Sequence, residues 1–194
     1  MARKLNRDDW AREALTVIGE SGLGAVAVEP LAARLGATKG SFYWHFADRA
    51  AVVDAAIALW EHDHTEGIIT AVEQSRESGD TPQQRLRRLL DRVIGDHDGD
   101  RIELALLAST DDPRVAPAMQ RTTERRIAYV TTLYEEMGLE SAEARARAVI
   151  AVSVYLGHLQ LRYGSAVLPS GAAGRRHLDL VARVLIAEAG PATR

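Results

Sequence analysis

Cysteine is absent from the 194 residues, so neither a disulfide framework nor a Cys-ligated metal can hold the fold together. Long apolar runs are absent too: nothing approaches the ~20 residues that a membrane-crossing helix needs. The opening stretch Met-Ala-Arg-Lys-Leu-Asn-Arg-Asp-Asp lacks the apolar core of a signal peptide. The expectation is a cytoplasmic protein with no membrane partner. Period-two alternation is missing as well, whereas helical spacing recurs throughout, so the predicted fold class is all-α with about nine helices.

Chemistry-bearing clusters are few. His62-Asp63-His64 puts two imidazoles two residues apart, and on a helix they diverge, unlike the i, i+4 pair that shares a metal. Asp96-His97-Asp98-Gly99-Asp100 has a superficial likeness to a calcium loop, but its Gly stands fourth rather than sixth and no Glu occupies the twelfth place. Both read as solvated surface. No nucleophile is paired with a base, so no metal, no cofactor and no enzyme activity are expected.

What the chain does have is the segment Thr38-Lys39-Gly40-Ser41-Phe42-Tyr43-Trp44-His45-Phe46. Before it, Leu31, Ala32 and Leu35 mark one face of a short helix, with Pro30 tolerable in the first turn. Gly36 can end that helix. Thr38 can cap a second one, on which Phe42 and Phe46 point inward and the rest point out. Two short helices joined by a Gly-containing turn form the layout that places a recognition helix in the major groove of DNA. At its N-terminal end the backbone N–H groups, the Thr38 hydroxyl and the Lys39 ammonium are phosphate ligands, and Lys39 can alternatively reach a guanine edge. Tyr43 and His45 add donors, while Lys39, Ser41 and Trp44 would govern base preference. Gly40 costs about 1 kcal/mol against Ala inside a helix, which close approach of DNA would explain.

Other helices follow from caps and breaks. Asn6 caps the first, with Asp8 and Asp9 in its first turn, Trp10, Ala11, Ala14, Leu15 and Ile18 on its apolar face, and Gly22 and Gly24 ending it. Asp48 caps a long fourth helix carrying Val52, Val53, Ala56, Ile57 and Trp60 as far as Gly79-Asp80. Thr81-Pro82-Gln83-Gln84 is a capping box. A loop over 95–100, a short helix around Leu104–Ala108, a long one begun by Asp111-Asp112-Pro113, another capped by Ser141, and a last one over Leu178–Ile186 complete the chain.

The stretch Gly36-Ala37-Thr38-Lys39-Gly40-Ser41-Phe42-Tyr43-Trp44-His45-Phe46-Ala47-Asp48-Arg49 resembles the signature of the TetR family of bacterial transcriptional regulators. The resemblance implies a three-helix DNA-binding domain over residues 1–50 and a helical effector-binding and dimerisation domain over 51–194. It implies Thr38, Lys39, Tyr43 and His45 as DNA contacts, joined by Arg49 where the family often has Lys; with Gly40, Ser41 and Trp44 these make the expected DNA surface. Ala27 departs from the pattern, standing where the family commonly has a hydroxyl N-cap.

The same resemblance implies a homodimer through the last two helices on a palindromic double-stranded operator. It also implies an effector pocket between the fourth and middle helices, with the fourth helix as lever. Trp60, Met119, Tyr129, Tyr155 and His158 are candidates to line that pocket, with plain core packing as the alternative for each. Scarce clustered charge there favours a neutral or hydrophobic ligand. A ligand-responsive repressor, an activator, and a DNA-binding protein without small-molecule input all fit these residues. The net charge of −3 splits into +1 for residues 1–50 and −4 for the rest. Cations are therefore few: Lys39, Arg49 and the Arg3-Lys4-Arg7 group, the last also readable as a solvated terminus.

Overall fold

The structure, a computed structural model, describes residues 5–95, 99–165 and 167–187. In chain order these form α1 (Arg7–Ser21), a 3-10 turn (Leu23–Ala25), α2 (Val28–Arg34), α3 (Lys39–Tyr43) and α4 (Arg49–Glu61). A π-helical turn (His62–Glu66) runs directly into α5 (Gly67–Glu77), followed by α6 (Pro82–Ile94), α7 (Asp100–Leu107), α8 (Val115–Glu136), α9 (Ser141–Gly164) and α10 (Gly171–Ala187). With α4, the π-turn and α5 taken as one unbroken run, the described residues hold nine helical rods and no strand. The all-α expectation is met.

The predicted caps of α1, α3, α4 and α6 are in place. Asn6 and Asp9 form a reciprocal capping box on α1, and Thr81 and Gln84 form one on α6 with Pro82 at the first position. The Ala51 N–H donates to Asp48 Oδ1 at 2.9 Å, starting α4. Gly36 ends α2 at φ 61, where a Cβ would be strained. Its N–H donates to Ala33 O at 3.2 Å and the Ala37 N–H to Ala32 O at 2.8 Å, so both last-turn carbonyls are satisfied and the chain turns sharply into α3.

The chain packs as two units, 1–64 with 98–121 and 65–97 with 122–194. The core of the first is built on Trp10, Ile18, Leu31, Phe42, Val52, Trp60, Leu106 and Met119. In it α1 lies against α4 and α7, and α2 against α3. The core of the second gathers Ile69, Val72, Leu86, Leu90, Leu133, Tyr134, Ala144, Ala148 and Leu185.

Several expectations are corrected. The fourth helix runs on to Glu77, beside the predicted break at Gly79, but passes through a π-turn at His62–Glu66 instead of keeping regular α spacing. α7 starts at Asp100, earlier than the predicted 104, because Asp100 and Glu103 are buried and belong to its inner side. The solvated-surface reading therefore fails at Asp100; Asp96, His97 and Asp98 lie outside the described residues. The half-buried imidazole of His64 lies where a Cβ on Gly99 would be, so the surface reading fails there also. Ser141 is the first residue of α9 rather than its cap: its hydroxyl donates to Glu135 Oε1 at 2.7 Å.

Candidate nucleic-acid interface

α3 is five residues long, so its placement depends on what anchors it. Thr38 is in extended conformation and its Oγ1 accepts the Ser41 N–H at 3.1 Å, which fixes the first turn. Phe42, fully buried, meets the Trp10 ring of α1 edge-on at 5.3 Å and the Phe46 ring at 5.5 Å. This aromatic cluster holds the inner face, and edge-to-face contacts of this kind add about 0.5–1.5 kcal/mol each beyond burial.

With Phe42 inward, its neighbours face solvent. Tyr43 is 58% exposed and Trp44 88%. The Tyr43 ring is braced edge-on against Phe42 at 5.3 Å, which orients it without burying it. Thr38, Lys39 and Gly40 are exposed, Ser41 and His45 half-buried. A Cβ on Gly40 would meet nothing nearer than Thr38 Oγ1 at 3.7 Å, so the fold itself does not demand glycine there. The residues predicted for this surface thus sit together on the loop-facing start and outer side of one helix, Arg49 excepted.

Arg49 is turned inward. Its Nε donates to Val26 O at 2.6 Å and one terminal nitrogen to Leu23 O at 2.8 Å. It clamps the 3-10 turn and the entry to α2, and only its remaining donors could meet a phosphate. Two further residues border this surface: Arg7, one of the few cations noted in the sequence, and Glu29, which was not singled out there. Arg7 donates to the carbonyl of His45 at 3.0 Å and lies over the Phe46 ring at 4.4 Å, tying α1 to the exit of α3. Arg3 and Lys4 of the same cluster lie outside the described residues. Glu29, in the first turn of α2, forms an ion pair with Lys39 Nζ.

The scaffold behind this surface is held by Arg34. Its guanidinium bonds Glu13 and spans both oxygens of Glu20 at 2.8 and 3.1 Å, joining α2 to α1. The hydrogen bond from Arg34 keeps the Glu20 carboxyl below its usual range. As expected, Ala27 occupies the N-cap of α2 with no side-chain hydrogen bond.

The five effector candidates divide between the units. Trp60 and Met119 are buried in the core of the first. In the second, the Tyr129 hydroxyl donates to Glu73 Oε1 at 2.6 Å, and burial, reinforced by that carboxylate, pushes its ionisation well up. Arg126 lies 5.3 Å from the Tyr155 ring centre. His158 Nδ1 is 2.7 Å from Val154 O, and its Nε2 is 2.9 Å from Nε2 of His177. No group of three or more metal-ligating side chains occurs among the described residues, and none of their helices is long and apolar enough to cross a membrane.

An all-helical chain whose second and third helices make a Gly-turned pair, the later one anchored by aromatics and presenting hydroxyls, a cation and exposed rings, is a helix-turn-helix protein. Comparison with known proteins narrows this. Residues 12–56 match the model of the bacterial regulatory proteins, tetR family. The class A tetracycline repressor protein from transposon 1721 of Escherichia coli is 35% identical over 66 residues, 34% of this chain. That match spans 31% of the repressor's own length.

Solved structures share the fold over nearly the full chain. A transcriptional regulator from Rhodococcus sp. Rha1 has a TM-score of 0.75 at 18% identity, covering 95% of this chain and 97% of that one. Reduced NemR of E. coli has a TM-score of 0.76 at 18% identity, covering 96% and 99%. The likeness to the tetR family model is thus confined to residues 12–56 of the N-terminal domain, while the fold is shared over nearly the whole chain.

Proposed function

We propose that this protein is a DNA-binding transcriptional regulator that acts as a homodimer on a palindromic operator and releases it when a small molecule binds, with residues 1–50 serving DNA and 51–194 serving effector and dimer. The observation that carries the reading is the 58% and 88% exposure of Tyr43 and Trp44 on a helix locked from behind by fully buried Phe42. Two large rings held in water beside Thr38 and Lys39 are costly unless a partner covers them. In the groove, Thr38, Tyr43 and His45 would contact phosphates, and Lys39, Gly40, Ser41 and Trp44 would lie toward the bases. Arg49 would contribute mainly by fixing the loop.

A dimer is supported by the outward apolar residues Val149, Ile150 and Leu161 of α9 and Leu180 and Val184 of α10, each at least 42% exposed. A two-fold protein would double the few cations available to each half-site. Of the five effector candidates, Tyr129, Tyr155 and His158 of the second unit are the residues proposed to face an effector, whereas Trp60 and Met119 pack in the core of the first. Thr65 and Thr122, buried with no hydrogen-bond partner for their hydroxyls among the described residues, are further groups that a polar atom on a mainly apolar ligand could engage. Repression requires that the effector favour the DNA-incompetent arrangement by ~1–3 kcal/mol.

The test is binding to the DNA upstream of the protein's own coding region at two salt concentrations, against a scrambled duplex. Salt-sensitive preference for the native duplex, weakened about tenfold or more in Tyr43→Ala, is the expected result. Equal, weak binding to both duplexes would remove the operator reading for that site.

A further inference from the structure

We infer that Glu29 is a base-reading residue, and that Lys39 and Glu29 together recognise one G·C pair in each half-site; this rests on the DNA-binding reading above. The two side chains are joined as an ion pair between the first turn of α2 and the first residue of α3, with side chains 57% and 70% exposed for Lys39 and Glu29. Neither is held there by burial, and the Glu29 side chain has no other hydrogen bond among those described.

A carboxylate on a surface that meets phosphates is repelled by them, so its place beside the start of the recognition helix calls for a compensating contact. Ionised carboxylate only accepts hydrogen bonds and ammonium only donates them. In the major groove the donors are the amino groups of cytosine N4 and adenine N6. Adenine carries the N7 acceptor beside its amino group, which repels a carboxylate, so cytosine is the better match. Its partner guanine offers O6 and N7, both acceptors suited to Lys39. In a G·C pair O6 and N4 are themselves hydrogen-bonded neighbours, so an ammonium and a carboxylate already in contact present the complementary order. Glu29 also holds Lys39 away from the phosphates, turning a sequence-blind cation into a sequence-reading one.

The experiment measures operator binding of the intact protein, Glu29→Ala and Glu29→Gln against a duplex series in which each base pair of the half-site is replaced in turn, at two salt concentrations. The inference expects the parent protein to lose about tenfold or more when one particular G·C pair is replaced, as for a good base contact. In Glu29→Ala that penalty shrinks to about twofold, other positions keep theirs, and the salt dependence steepens as Lys39 turns to phosphate. If Glu29→Ala instead tightens binding to every duplex by the same factor, Glu29 is only a repulsive charge and the inference is overturned. Failure of the parent protein to prefer any duplex would sink the DNA-binding reading itself, a separate outcome from the uniform change in the variant.

Discussion

Ala27 begins α2 in the extended conformation of an N-cap, at φ −147 and ψ 150, yet has no oxygen to offer the free N–H groups of the first turn. Serine at this position can take the same backbone and accept one of them. Ala27→Ser is therefore expected to stabilise the protein by about 1 kcal/mol, seen as a higher thermal midpoint by circular dichroism. An unchanged or lower midpoint would mean that the first turn of α2 is already satisfied. Arg49 shows the limit of motif reading at this scale. A cation in a DNA-binding signature suggests a phosphate contact, but the carbonyls of Leu23 and Val26 lie within its reach and claim it.

At the scale of elements, α5, α6 and α8 of the second unit are stapled by charge. Arg85 of α6, only 2% exposed, pairs with Glu73 of α5 at 2.8 Å and with Glu136 of α8, while Tyr129 of α8 adds its hydroxyl to Glu73. Burial alone would raise the Glu73 carboxyl, but the Tyr129 hydrogen bond and the Arg85 guanidinium outweigh it and hold the group below its ordinary value of 4.5. A carboxyl lowered on folding contributes stability that is complete above its ordinary value and fades as pH falls toward the lowered one. Thermal midpoints followed from about pH 6 to about pH 3 should therefore fall, and fall less steeply in Glu73→Gln than in the parent. Parallel curves would show that Glu73 titrates alike in both states.

This staple was not legible in the sequence, because its partners come from residues 73, 85, 129 and 136, and no local pattern links them. The caps of α1, α3, α4 and α6 were legible, since each rests on a side chain bonding a backbone N–H three residues on. The π-turn was not, because His62-Asp63-His64-Thr65-Glu66 carries no Gly or Pro to mark it. Gly174 lies inside α10, where a Cβ would come within 2.7 Å of Pro169 O, so glycine admits the close approach of the preceding turn. Of the candidate interface, the outward residues of α3 could be read from Phe42 and Phe46 alone. Glu29 could not, because its role depends on a contact made across the turn.

For the whole molecule, charge and association are linked. Each chain carries a net charge of −3 and has few cations near α3, so operator binding should depend on pairing two copies. Leu180 and Val184, four apart on α10 and 51% and 54% exposed, belong to the face proposed for that pairing, so a charge there tests it directly. Val184→Asp is expected to shift the protein from dimer toward monomer in analytical ultracentrifugation, and to weaken operator binding about tenfold or more, with helix content unchanged. A variant that remains dimeric would place the interface elsewhere.

The unequal burial of the three tryptophans gives the protein a built-in optical probe. Trp10 and Trp60 are fully enclosed, whereas Trp44 is 88% in water. An aqueous collisional quencher such as acrylamide should therefore extinguish chiefly the emission of Trp44, at the tip of the candidate recognition helix. Protection of that accessible fraction by an added duplex would report occupancy of this one residue without any label, while the two enclosed indoles serve as an internal reference for the integrity of the N-terminal unit.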